Sequence, residues 1–107
     1  GPHLAKQFFF TADPIPARRL YELGVLSEVV PAEKLREATE SLASKLACGP
    51  TKAIGKQKRL IEHALTATLE EILEEERLVQ GLMVETEDHR EGVAAFKEKR
   101  SPVFQGK

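Results

Sequence analysis

Proline and glycine interrupt this chain too often for any long element. Pro14 and Pro16, Gly24, Pro31, Gly49-Pro50 and Pro102 divide it into segments that must each be started and ended locally. Between the breaks, apolar residues recur every three to four positions, the spacing of one helix face. Ala17, Leu20 and Leu23 form a short amphipathic run closed by Gly24, whose freedom at positive φ suits the position after a helix. Leu35, Ala38, Leu42 and Leu46 form a second run, with Pro31 placed for a first helical position and Gly49-Pro50 as the stop. A third stripe comprises Ala53, Ile54, Leu60, Ile61, Ala64 and Leu65, with Lys52, Lys56, Lys58, Arg59 and Glu62 largely on the other side. A fourth runs through Leu69, Ile72, Leu73, Val79, Leu82 and Met83, and a last helix over about 87 to 100 presents Val93 and Phe96. Val25-Leu26 and Val29-Val30 read as a short extended segment near 25–30. The apolar run Phe8-Phe9-Phe10 fits a buried strand or the last turn of a helix, and Asp13-Pro14-Ile15-Pro16 must turn. The pattern predicts a mainly α chain of four to five helices.

With 107 residues the chain is one small domain or a piece of a larger one, too short for a two-domain enzyme. It begins Gly1-Pro2-His3, so it is expected to be a processed product or part of something longer. Its 16 basic and 17 acidic residues exclude the imbalance of an electrostatic nucleic-acid binder. The charge is unevenly placed: positions 69 to 91 carry nine acids and two bases, and the remainder is net basic, so the two regions can face each other. No apolar run approaches the roughly 18 residues of a membrane span. Neither nucleic acid nor membrane is an expected partner. Cys48 is the only cysteine, which excludes an internal disulfide and a cysteine-cluster zinc site and fits a reducing, cytoplasmic setting, with an organellar parent also compatible.

Spacing alone names no catalytic residue. His3, His63 and His89 stand too far apart for a paired metal site, so no metal ligand is assigned. Cys48 follows a helix whose negative end opposes a thiolate, and reads as a structural thiol. Glu70, Glu71, Glu74, Glu75 and Glu76 read as the solvated face of a helix. The stretch from Phe96 to Phe104 differs, because Lys97, Lys99 and Arg100 stand beside two rings. Cations for phosphate and a ring for stacking could hold a phosphorylated ligand with a planar base, although cations also suit any helix C-terminus.

Four ordered blocks resemble the C-terminal part of the crotonase superfamily, the enoyl-CoA hydratase and isomerase family. They are Phe10-Thr11-Ala12 with Ile15-Pro16-Ala17 and the segment Leu23 to Pro31; Gly49-Pro50, Ala53-Ile54 and Lys58; Glu87-Asp88 with Arg90-Glu91-Gly92; and Ala95-Phe96, Glu98-Lys99-Arg100, Pro102 and Phe104. The opening Gly1-Pro2-His3-Leu4 and the run from Phe9 to Ile15 look most like the methylmalonyl-CoA decarboxylase branch. Pro16 departs from the serine cap common in relatives, and one extra residue separates Pro50 from Ala53-Ile54.

The resemblance implies a helix at residues 3 to 10 and the helical trimerisation region of the crotonase fold. It implies coenzyme A thioester as substrate with no covalent cofactor, and a homo-oligomeric parent, trimer or hexamer. The catalytic spiral core, with its oxyanion-hole donors and its acid and base residues, would lie in a missing N-terminal part, leaving this chain alone inactive. Phe96 and Lys99 fall where relatives place an aromatic and a lysine near the adenine and 3′-phosphate of coenzyme A. Arg100 is a third candidate, which could instead pair with the acids of the preceding helix. The alternative is a non-enzymatic helical module that works by packing against partners.

Overall fold

The computed structural model describes all 107 residues, and its regular structure is entirely helical. Six α-helices form: α1 (Pro2–Thr11), α2 (Ala17–Glu22), α3 (Leu35–Ala47), α4 (Thr51–His63), α5 (Leu69–Val84) and α6 (Glu87–Glu98). The sixth helix, α1, is the one the family resemblance implies at residues 3 to 10, where periodicity alone left strand and helix open. The chain divides into two units, Gly1–Ala38 and Thr39–Lys107, with the boundary inside α3.

In the first unit, α1 starts with a proline in its first turn, where the missing N–H costs no helical bond. It ends at Ala12, which takes a left-handed conformation (φ 54°) and donates its N–H to Phe8 O at 3.1 Å. Phe9 and Phe10 are 85% and 82% exposed. Gly24 closes α2 with φ 73°, as its sequence position predicts.

The segment near 25–30 is not a strand. The N–H groups of Val25 and Leu26 both turn back to Leu20 O, at 2.9 and 3.4 Å, and so finish α2 instead of entering a ladder. Pro31 lies outside helical geometry (φ −55°, ψ 147°); a 3-10 turn at Ala32–Lys34 leads into α3, so the helix begins after the proline.

In the second unit α5 begins with a reciprocal cap: Thr68 Oγ1 accepts Glu71 N–H at 3.3 Å, and Glu71 Oε2 accepts Thr68 N–H at 2.8 Å. The Thr68 N–H bond, followed by one from the Thr68 hydroxyl to Glu71 Oε2 at 3.0 Å, holds the Glu71 carboxyl below its ordinary range. Thr86 links α5 to α6 by donating its hydroxyl to Met83 O at 2.7 Å while accepting His89 N–H at 3.1 Å. His63 at the end of α4 meets Glu75 of α5, Nδ1 to Oε2 2.6 Å. Glu75 and Glu91 are thus two points where the acid-rich stretch contacts the rest of the chain, through His63 and Arg100.

The buried apolar core is small, centred on Leu60 (6% exposed) and Ala95 (1%). Most of the stripes that define the helices remain open, including Leu42, Leu46, Ile61, Leu65, Leu73 and Leu82. Cys48 is exposed. No helix is long and apolar enough to cross a membrane.

Candidate coenzyme-binding site

The three residues singled out from the sequence stand at the C-terminal end of helix α6, Phe96 in its last turn and Lys99 and Arg100 just beyond it. Its inward face places Ala95 in the core, so the next position, Phe96, projects outward and is 86% exposed. One turn later the helix ends in a paired bond pattern, Lys99 N–H to Phe96 O at 3.3 Å and Arg100 N–H to Ala95 O at 3.0 Å. That ending needs a left-handed residue between them, a position usually held by glycine. Here Lys99 fills it, at φ 55° and ψ 37°.

Arg100 turns back along α6. Its guanidinium donates in parallel to Glu91, Nη1 to Oε1 at 2.6 Å and Nη2 to Oε2 at 2.8 Å, and its Nε donates to Glu98 Oε2 at 2.6 Å. Glu91 Oε1 also accepts Val103 N–H at 2.7 Å. The Arg100 bonds, followed by that from Val103, hold the Glu91 carboxyl down to about 2, and the same acids push the guanidinium upward. The sequence offers Arg100 either as a third ligand contact beside Phe96 and Lys99 or as a partner for the acids of the preceding helix; the structure brings the three to one helix end and pairs the guanidinium with Glu91 and Glu98.

One turn before Glu91, Asp88 fixes the remainder of the C-terminal segment. Its carboxylate accepts Gln105 N–H at 2.7 Å and Gly106 N–H at 2.9 Å, and its own N–H donates to Lys107 O at 3.2 Å. Asp88 is 5% exposed, and these bonds replace the water it loses. Sequence reading treats Asp88 and Glu91 only as members of a family block. Their position three residues apart on one helix shows that they share a face, but nothing local shows what that face grips.

Phe96 also lines a groove of about 550 Å³ bounded by α4, α5, α6 and the C-terminal segment. Leu60, Val79, Met83, Val93 and Phe104 share that lining, as do Lys52 and Lys97. Of these two, Lys97 is legible from the sequence as one of three cations beside the two rings, and Lys52 only as lying on the polar side of its helix. No group of three or more histidine, cysteine or acidic residues is gathered in a way that could hold a metal ion. Chemically, an open ring followed by a free ammonium on a fixed backbone can stack a planar base and meet a phosphate.

The family model for enoyl-CoA hydratase/isomerase matches residues 1–107. The chain belongs to that family. Within the enoyl-CoA hydratase/isomerase family it is 42% identical over 93 residues to 1,2-epoxyphenylacetyl-CoA isomerase of Escherichia coli K12, covering 87% of this chain and 36% of the relative. It is 36% identical over 112 residues to methylmalonyl-CoA decarboxylase of the same organism, covering 99% and 41%. Among solved structures, an enoyl-CoA hydratase subunit I from Geobacillus kaustophilus HTA426 superposes with a TM-score of 0.94 at 38% identity, covering 100% of this chain and 42% of that one. The chain therefore spans about two fifths of the length of the relatives it matches. These relatives are named for reactions of coenzyme A thioesters, which agrees with the family expected from the four sequence blocks.

Proposed function

We propose that this chain serves as the C-terminal oligomerisation and coenzyme A-binding part of an acyl-CoA enzyme, either a methylmalonyl-CoA decarboxylase or an enoyl-CoA hydratase or isomerase. In this reading the catalytic core is the N-terminal part of the same enzyme, and hydrogen-bond donors there hold the charge that develops on the thioester. Phe96 stacks on the adenine and Lys99 meets the 3′-phosphate. Arg100 contributes through Glu91 instead of touching the ligand.

The observation that carries this reading is Lys99. Left-handed backbone costs a non-glycine residue about 1 to 2 kcal/mol. A lysine kept there, next to a ring left 86% exposed, is explained by what its ammonium does. The open stripes on α3, α4 and α5 support the oligomerisation part, since apolar surface of that extent marks a packing face.

The test is Lys99→Ala in the acyl-CoA enzyme. Loss of one charge-assisted hydrogen bond, about 1.5 to 3 kcal/mol, should raise KM for the full coenzyme A substrate and leave kcat nearly unchanged. The change should vanish with a dephospho-CoA thioester. Equal KM for variant and parent with the full substrate would show that Lys99 has no such role.

A further inference from the structure

The C-terminal segment is held to α6 by two carboxylates on one side of the helix, Glu91 and Asp88. Glu91 receives the Arg100 guanidinium through two bonds and the Val103 N–H through a third, so residues on both sides of Pro102 converge on one side chain. This convergence reverses the chain immediately after Lys99. It adds to the helix-end bonds, Lys99 N–H to Phe96 O and Arg100 N–H to Ala95 O, in holding Lys99 in a left-handed conformation that is strained for a lysine.

We propose that Glu91 is a positioning residue for ligand binding: by clasping Arg100 and Val103 it fixes the backbone of Lys99 and so directs the ammonium to the side on which Phe96 is exposed. The proposal rests on the reading of Phe96 and Lys99 as nucleotide contacts and adds a residue that never touches the ligand. Asp88, bonded to Gln105 and Gly106, anchors the far end of the same segment. The sign of the effect distinguishes this role from simple electrostatics. Removing a negative charge near an anion site should strengthen phosphate binding by Coulomb's law, and would free Arg100 to join in. A positioning role requires the opposite.

The experiment titrates the chain with adenosine 3′,5′-bisphosphate and with adenosine 5′-monophosphate, following backbone and side-chain NMR signals of Phe96 and Lys99. The parent should bind the bisphosphate about three- to fivefold more tightly, the scale of one exposed ion pair. Lys99→Ala should abolish that preference; if the preference survives, the lysine reading fails and the positioning role falls with it. Given that result, Glu91→Gln should reduce the ratio to about one and move the Lys99 Cα and Cβ shifts away from left-handed values. A preference retained or increased in Glu91→Gln overturns the proposal while leaving the lysine reading intact. A role confined to stability would lower the melting temperature without changing the ratio, and counts against it equally. If Glu91→Gln does not fold, Glu91→Asp decides: it keeps the charge but is too short to reach both Arg100 and Val103, and the same loss of preference is required.

Discussion

The carboxylate of Asp88 accepts the backbone N–H of Gly106 at 2.9 Å across 18 residues of chain, and accepts that of Gln105 beside it. A buried acid satisfied by main-chain donors cannot be removed without leaving those donors unpaired. Asp88→Ala should therefore cost about 1.5 to 3 kcal/mol, measured by urea denaturation. The C-terminal amides of Gln105 and Gly106 should also lose protection from hydrogen exchange.

Lys99 and Gly106 share a positive φ, 55° and 72°, that favours glycine, and only the second is one. Lys99→Gly should raise stability by about 0.5 to 1 kcal/mol, the left-handed strain relieved less the added freedom of the unfolded chain. The same change should weaken nucleotide binding. A thermal melt and a coenzyme A titration on one variant check both halves.

Gly106→Ala should lower stability by about 1 to 2 kcal/mol, because it adds left-handed strain. Its Cβ would also stand 2.5 Å from Thr51 Oγ1, forcing that hydroxyl to move. Thermal unfolding of this variant beside Thr51→Ala/Gly106→Ala separates the two causes: only the contact should be relieved in the double variant.

Glu91 should make the chain sensitive to acid. Its folded-state value of about 2 lies below the ordinary 4.5, so the group favours the folded state fully above that ordinary value. The contribution is lost as the pH falls toward 2, where folded and unfolded states both carry the proton. Glu71 and Glu74, also lowered, act in the same direction. The melting temperature of Glu91→Gln should lie below that of the parent at neutral pH, and the gap should narrow between about pH 4.5 and pH 2.

The helices were legible because their signals are local. The 3.6-residue stripe, the glycine at Gly24 and the Gly49-Pro50 stop act within one or two turns, and the observed α2 and α3 end, and α4 begins, close to them. Residues 25–30 misled because β-branched and apolar composition reports a preference for extended backbone, while a strand also needs a partner, and Val25 and Leu26 spend their donors on Leu20. Phe96 and Lys99 stand out as candidates through family order, not spacing. The grip of Asp88 on Gln105 and Gly106 left no trace in periodicity, since a contact over 17 or 18 residues to an irregular segment has no repeat. The left-handed backbone at Lys99 was equally hidden, because a lysine there contradicts the usual helix-end residue.

Only Glu85 and Thr86 separate α5 from α6, and the Thr86 hydroxyl is bonded to the last turn of one and the first turn of the other. So little slack makes the joint a stiff elbow. A push on the acidic helix is then transmitted to Phe96 and Lys99 as leverage along a 12-residue arm, instead of being absorbed in a flexible loop. Thr86→Ser keeps both bonds and the elbow; Thr86→Val keeps the shape and removes them, turning a lever into a swivel.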